Sequence, residues 1–200
     1  MNDLLSALLG QAESNWGMDE AAIQDAMAKI AFHESKGDAK AMQLLDDGSY
    51  GVGRGLYQYE IGYKEGAHTA INRLISFNNN LKNPYNISFL DSIVDDKSYD
   101  FSRLTPEQQK MLFLADKLGD ETANMGRYDI DGDKVLSNEE LAGFHADEHY
   151  AGYGNAQDVI YELMGGQGPT DTPLPILSQS DIDRQSFIDK IIKDYQAYKP

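Results

Sequence analysis

The sequence predicts a mainly α-helical fold, interrupted by a small Gly/Tyr-rich hairpin or loop region and by one acidic loop. Three features of the 200-residue chain carry that reading. Apolar residues recur at helical spacing through most of it, as with Ile23, Met27 and Ile30 or Ile188, Ile191, Ile192 and Tyr195. Glycines and tyrosines crowd residues 48–63, where no helix can persist. Acidic residues alternate from Asp129 to Asp133 and return at Glu140, just before another helical stretch.

The elements follow in order. Met1–Gly10 holds an apolar stretch without a basic flank, so it is expected as a short amphipathic helix rather than a signal peptide. Asp19 is placed to cap a helix running to about His33, with Ile23, Met27 and Ile30 buried. One further step along that face is Glu34. A carboxyl group there meets partial burial and the negative end of the helix dipole, and both favour its protonated form. A general acid needs that property near neutral pH. The alternative is a helix-end glutamate that bends out to water. His33, its neighbour, is expected to face elsewhere, and Trp16 to lie in the core.

Gly48, Gly51, Gly53, Gly55 and Gly62 interleave with Tyr50, Tyr57, Tyr59 and Tyr63. The expectation is irregular backbone or a small hairpin whose aromatic walls suit a carbohydrate cleft, or simply a loop with packed tyrosines. No phosphate-loop pattern occurs. Ala67–Phe77 reads as a helix, ended by Asn78, Asn79 and Asn80. Thr105, Pro106 and Gln108 form a helix start with a capping box, and Met111, Leu112, Leu114, Ala115 and Leu118 form its apolar side up to Gly119. Glu121–Tyr128 is expected to enter the acidic loop as a helix weakened by Gly126, and Asn138 to about Tyr150 to leave it. Val159, Ile160, Leu163 and Met164 mark another helix. The expected organisation is one domain over 1–165, a linker over 166–180 and an amphipathic helix over 181–200. That last helix either packs back or docks on a partner.

The acidic loop has the spacing of an EF-hand, with oxygen-bearing side chains at loop positions 1, 3, 5, 9 and 12. Asp129, Asp131 and Asp133 would give carboxylate oxygens to Ca²⁺, and Val135 its backbone carbonyl. Ser137 would bind directly or through water, and Glu140 would close the site. Leu136 points inward. Lys134 stands where glycine is usual, and positive φ there costs about 1 kcal/mol. An acidic turn that merely caps a helix is the alternative. No second such loop occurs.

A net charge of −16 argues against nucleic acid and against anionic membrane surfaces as partners. The absence of cysteine removes disulfides, thiolate metal sites and cysteine nucleophiles. No apolar run approaches the length of a membrane span. His145 and His149 share a helix face, but their order is not that of a zinc protease helix.

Glu34-Ser35, then Asp38 and Ala41, then Gly53-Arg54-Gly55-Leu56-Tyr57-Gln58 resemble the lytic transglycosylase and goose-type lysozyme group. In that group a helix ends in Glu-Ser, and a Gly-Leu-Met-Gln-like segment follows. Tyr57 replaces the methionine. Residues 109–114 and 148–152 are more loosely similar to phage-encoded cell-wall lysins. The resemblance implies a lysozyme-like α-helical domain and peptidoglycan glycan strands as substrate. It implies Glu34 as the sole essential acid/base at the MurNAc-GlcNAc bond, with loss of a proton from the muramoyl 6-hydroxyl or from water. Ser35 would orient Glu34, Gln58 would bond near the scissile link, and Gly55 and Leu56 would shape the cleft floor. Tyr57, Tyr59, Glu60 and His149 complete the expected substrate contacts. Glu60, Asp46 and Asp47 are candidate second carboxylates. Location in a phage virion, or in host cytoplasm with delivery to the wall, would follow. The rival is a non-enzymatic calcium-binding virion or regulatory protein that uses the Tyr/Gly region to bind a partner.

Overall fold

A computed structural model describes residues 2–62, 64–120, 123–149 and 179–199, with the side chains of 2, 147–149 and 179–185 left aside. It is mainly helical, with a small antiparallel sheet. The elements are α1 (Asn2–Trp16), α2 (Glu20–Ser35), β1 (Met42–Leu44), β2 (Tyr50–Arg54), β3 (Tyr59–Glu60), α3 (Gly66–Asn79), α4 (Asp91–Val94), α5 (Pro106–Leu118), α6 (Asn138–His149) and α7 (Gln179–Ala197). The expected helix at Val159–Met164 and the linker up to residue 178 lie outside the described residues. No described helix is long and apolar enough to cross a membrane.

Helix α5 is the axis of the core. Met111, Leu112, Phe113, Leu114 and Ala115 are all buried, as befits a helix covered on every side. Its start is local chemistry: Thr105 Oγ1 accepts from the Gln108 N–H, and Gln108 Oε1 accepts from the Thr105 N–H at 2.8 Å. This capping box satisfies two N–H groups that the first turn leaves over. Helices α1 and α3 pack against α5, and α1 also meets α2. Leu4, Leu8, Leu9 and Ala12 form the buried side of α1, and Trp16 lies in the core.

Helix α2 buries Ile23, Met27 and Ile30 as its spacing predicts. Asp19 makes no side-chain cap; the Glu13 carboxylate accepts from the Glu20 N–H instead, at 2.9 Å. The far end closes sharply. Lys36 takes φ 56° and Gly37 φ 79°, with the Lys36 N–H bonded to Phe32 O and the Gly37 N–H to Ala31 O. This left-handed C-terminal closure stops α2 at Ser35, directly after Glu34. A non-glycine residue is held there because the Lys36 ammonium lies over the Phe32 ring and pairs with Asp194 at 3.1 Å.

The Gly/Tyr-rich stretch is a three-stranded sheet in the order β1-β2-β3. Met42 pairs with Arg54 and Leu44 with Tyr50, with an irregularity between them; Gly53 pairs with Glu60. Helix α7 turns its apolar side inward, with Ile188, Ile191 and Tyr195 buried, and packs on α2 and α6.

Where an entering helix was expected before the acidic loop, Met125–Arg127 makes a single 3₁₀ turn. The reason is contact. A Cβ on Gly126 would fall 1.8 Å from the Trp16 carbonyl oxygen, so the backbone runs tight against the end of α1. The acidic loop therefore connects a 3₁₀ turn to α6, rather than two helices.

Candidate functional site

Glu34, Ser35, Tyr57, Gln58, Tyr59 and Glu60 line one cleft of about 780 Å³, between the end of α2, the sheet and α5. Glu34 stands at its inner wall with a side chain 11% exposed. Its Oε1 lies 2.7 Å from His145 Nε2 on α6, and His145 Nδ1 lies 2.7 Å from the Tyr195 hydroxyl on α7. The carboxyl group is thus held by a hydrogen-bonded chain that crosses three helices. Burial, then the charges of Glu34 and Asp194, raise the Tyr195 hydroxyl well above its usual range, so it stays a neutral partner.

His33 does not face away, as adjacency on a helix suggested. Its ring stands edge-on to His145 at 5.1 Å, and its Nδ1 lies 2.9 Å from Asp194 Oδ2. The cause is α7, which covers that flank of α2 and supplies Asp194. Burial, and then His145, lower the His33 pKa against the opposing pull of Glu34 and Asp194. Burial alone would raise the Asp194 carboxyl. Lys36 and His33 outweigh it and hold that group below its ordinary value.

The opposite wall is built on the turn from Gly55 to Tyr59. Gly55 has φ 78°, and a Cβ there would sit 2.3 Å from Gln109 Oε1. That close approach lets the Leu56 N–H donate to Gln109 Oε1 at 2.7 Å. Leu56 is buried beneath the turn, and neither it nor Gly55 is among the residues that line the cleft, where both were expected as its floor. Tyr57 is also buried and stacks on Phe113 at 4.2 Å. Burial pushes its hydroxyl pKa far up, and the hydroxyl has no partner among the described residues. Gln58 sits at φ 48°; its Nε2 donates to Gly55 O at 2.7 Å, and its buried Oε1 has no partner among the described residues. A buried polar atom left unpaired costs about 1–3 kcal/mol, a deficit that a ligand in the cleft can relieve.

Ser35 lines the cleft, but its hydroxyl donates to Ala31 O at 2.8 Å and is not seen to orient Glu34. Tyr59 donates to Asp116 Oδ2 at 2.7 Å, and Arg73 holds Asp116 Oδ1 at 2.7 Å and Asp120 Oδ2 at 2.9 Å. Asp116 is therefore a cleft carboxylate already committed to structure. Glu60 is exposed on the rim. Asp46 and Asp47 lie in the exposed β1–β2 turn outside the cleft lining, where Asp47 caps Ser49. The side chain of His149 lies outside the described residues.

In the acidic loop, oxygens of Asp129, Asp131 and Glu140 fall within 4.8 Å of one another. Lys134 adopts φ 68°, the left-handed turn that position requires, and its N–H donates to Asp129 Oδ2 at 3.0 Å. Glu140 is 1% exposed; its two oxygens accept from the Ile130 and Ser137 N–H groups at 2.7 and 2.8 Å. Ser137 Oγ accepts in return from the Glu140 N–H, so the pair also caps α6. Asp133 accepts from the Val135 N–H, and the Val135 side chain is exposed while Leu136 is buried. Asp129 Oδ1 is buried with no partner among the described residues. A buried unpaired carboxylate oxygen facing an all-oxygen group fits a hard cation.

Sequence reasoning missed His145 as the partner of Glu34, and also Tyr195, Asp194 and Gln109. For Tyr195 the signal was present: a polar-tipped residue on an otherwise aliphatic helix face. Comparison with models of known protein families, with curated proteins and with solved structures finds no match for this chain.

Proposed function

We propose that the chain cleaves the MurNAc-GlcNAc β-1,4 bond of peptidoglycan, as a lytic transglycosylase or muramidase, with Glu34 as general acid/base. The observation that supports this best is the convergence of Glu34, Tyr57, Gln58, Tyr59 and Glu60 on one cleft, with Glu34 nearly dry and held by His145.

In this reading Glu34 protonates the glycosidic oxygen and the leaving sugar departs. The carboxylate then takes a proton from the muramoyl 6-hydroxyl, giving an anhydro end, or from water, giving a reducing end. His145, fixed by Tyr195, holds the carboxyl group at one angle. The substrate's N-acetyl group can stabilise the oxocarbenium-like state, so no second carboxylate is required. That agrees with an Asp116 bound to Arg73 and with an exposed Glu60. Tyr57 and Gln58 line the cleft on the wall facing Glu34, where sugar hydroxyl or amide groups would lie. Ca²⁺ belongs to Asp129, Asp131 and Glu140, with Asp133, Val135 and Ser137 as further donors, and it stabilises the loop that leads into α6 and His145. Binding only the folded state adds stability by mass action. A phage virion, or a host cell that later releases the protein to its wall, is the setting this substrate suggests.

The test is Glu34→Gln on purified peptidoglycan. Turbidity clearance should fall by about three orders of magnitude or more, the scale of removing a general acid with its orienting contacts. The melting temperature should stay within a few degrees, because an amide still bonds His145. Undiminished clearance refutes the assignment. Masses of the released muropeptides separate anhydro from hydrolytic products. Absence of any clearance by the parent protein favours the calcium-binding, non-enzymatic reading.

A further inference from the structure

We propose that His33, Glu34 and His145 form a binding site for one divalent transition-metal ion of the zinc type, and that an ion held there blocks the acid–base role of Glu34. The binding half stands on geometry alone; the blocking half rests on the glycosidase reading.

One ligand atom from each of the three side chains lies within 4.8 Å of the others. Two imidazoles and one carboxylate are a zinc-type donor set, and a three-ligand set leaves a fourth position for water. The outer shell is also in place. Imidazoles that bind metal almost always have their other ring nitrogen held by a carboxylate, a carbonyl or a similar group. Here His33 Nδ1 is held by Asp194 Oδ2 at 2.9 Å, and His145 Nδ1 by the Tyr195 hydroxyl at 2.7 Å. Both anchors come from α7, so the rings are turned toward Glu34 by a separate element. His33 and Glu34 are adjacent at the closed end of α2, where the backbone is rigidly terminated. Glu34 and His145 line the cleft, which gives an ion its entry path.

The proton balance is simple. The ion takes the Nε2 lone pair of His145, whose single ring proton then sits on Nδ1 and is donated to the Tyr195 oxygen. Glu34 coordinates as a carboxylate, its proton passing to solvent as the ion binds, and has none left to give to a glycosidic oxygen. The acidic loop offers oxygen alone and prefers a hard cation, so the two sites differ in chemistry.

The experiment uses the full chain, stripped by chelator and returned to saturating Ca²⁺. Zn²⁺ is titrated by calorimetry, Co²⁺ by visible absorption, and wall clearance is read in parallel. The expected result is one Zn²⁺ per chain and a Co²⁺ spectrum of nitrogen and oxygen ligation. His33→Ala should weaken binding at least about tenfold. The His68→Ala control should bind as the parent does. Clearance should stop on adding Zn²⁺ and return with chelator. Asp194→Asn provides a second variant should His33→Ala not fold; it keeps the ligands, loosens one anchor and should weaken Zn²⁺ several-fold. No bound Zn²⁺, or unchanged binding in folded His33→Ala and Asp194→Asn, overturns the site. Bound Zn²⁺ with undiminished clearance, or clearance only when Zn²⁺ is present, overturns the block. Bound Zn²⁺ at these residues with no clearance under any condition overturns the glycosidase reading and leaves the metal site standing.

Discussion

Gln109 is 1% exposed on α5, yet it joins three stretches of chain. Its Oε1 accepts from the Leu56 N–H at 2.7 Å, and its Nε2 donates to Ala39 O at 2.8 Å and to Leu104 O at 3.1 Å. The glutamine therefore ties the segment after α2, which ends at Glu34–Ser35, to the turn that carries Tyr57 and Gln58. Gln109→Met keeps the length and approximate volume of the side chain and removes all three bonds. The Leu56 N–H and Leu104 carbonyl are then left without a partner in a buried site, while the Ala39 carbonyl, partly exposed, reaches water. Two buried orphans at about 1–3 kcal/mol each give a loss of roughly 2–6 kcal/mol. At about 2–4 °C per kcal/mol for a domain of this size, that lowers the melting temperature by roughly 4–24 °C. Thermal unfolding followed by circular dichroism at neutral pH with Ca²⁺ present measures it. On the proposed glycosidase reading, clearance assays on the same variant should show KM rising more than kcat falls, because the wall is loosened while Glu34 keeps its own supports. A Met variant that melts within about 2 °C of the parent refutes the clamp, since even one buried orphan should move the transition further.

Gly55→Ala meets the same group from the other side. Positive φ and a Cβ 2.3 Å from Gln109 Oε1 should cost about 2–4 kcal/mol in a thermal melt, and Gly55→Ala with Gln109→Ala should lose less than the two changes summed. Chelating Ca²⁺ from a protein held at one hundred times its Kd should remove about 2.7 kcal/mol of stability, and identical melting curves with and without chelator would remove the metal from the account. Tyr57→Phe should stay within about 1 kcal/mol at neutral pH, because the lost hydroxyl makes no bond among the described residues. At alkaline pH it should be less sensitive than the parent. Burial raises Tyr57 and Tyr59 above their ordinary value of 10.0, the latter also through Asp116. Both phenols are neutral in folded and unfolded chains below that value, so stability is complete there. Above it the unfolded chain ionises first, and stability falls as pH rises, by up to about 1.4 kcal/mol per pH unit for each phenol. Denaturant titrations at stepped pH should show the variant losing one such share; an unchanged alkaline slope contradicts the burial of Tyr57.

The legible parts of this fold were those decided by neighbours in sequence. The capping box at Thr105 and the apolar side of α5 need only a few consecutive residues, and both form as spacing indicates. The stripe Ile23, Met27, Ile30 led to Glu34 because a helix repeats its faces, and Glu34 is indeed drawn to the edge of the core. What stayed hidden depends on elements distant along the chain. His33 is about 100° around the helix from Glu34, which argued for another environment. The arrival of α6 and α7 on the same flank puts His145 between the two and reverses that inference. Gln109 finds its partners in the Gly55 turn and Ala39, both far away along the chain. The helix expected before the acidic loop failed for the same reason, as the Trp16 carbonyl occupies the space a side chain at Gly126 would need. Local rules thus placed Glu34 at the end of the buried stripe, while long-range packing decided what holds it. The amphipathic pattern of α7 fits either packing back or docking on a partner. Tyr195 and Asp194 on the two imidazoles favour the first, because each fixes Nδ1 of a ring beside Glu34.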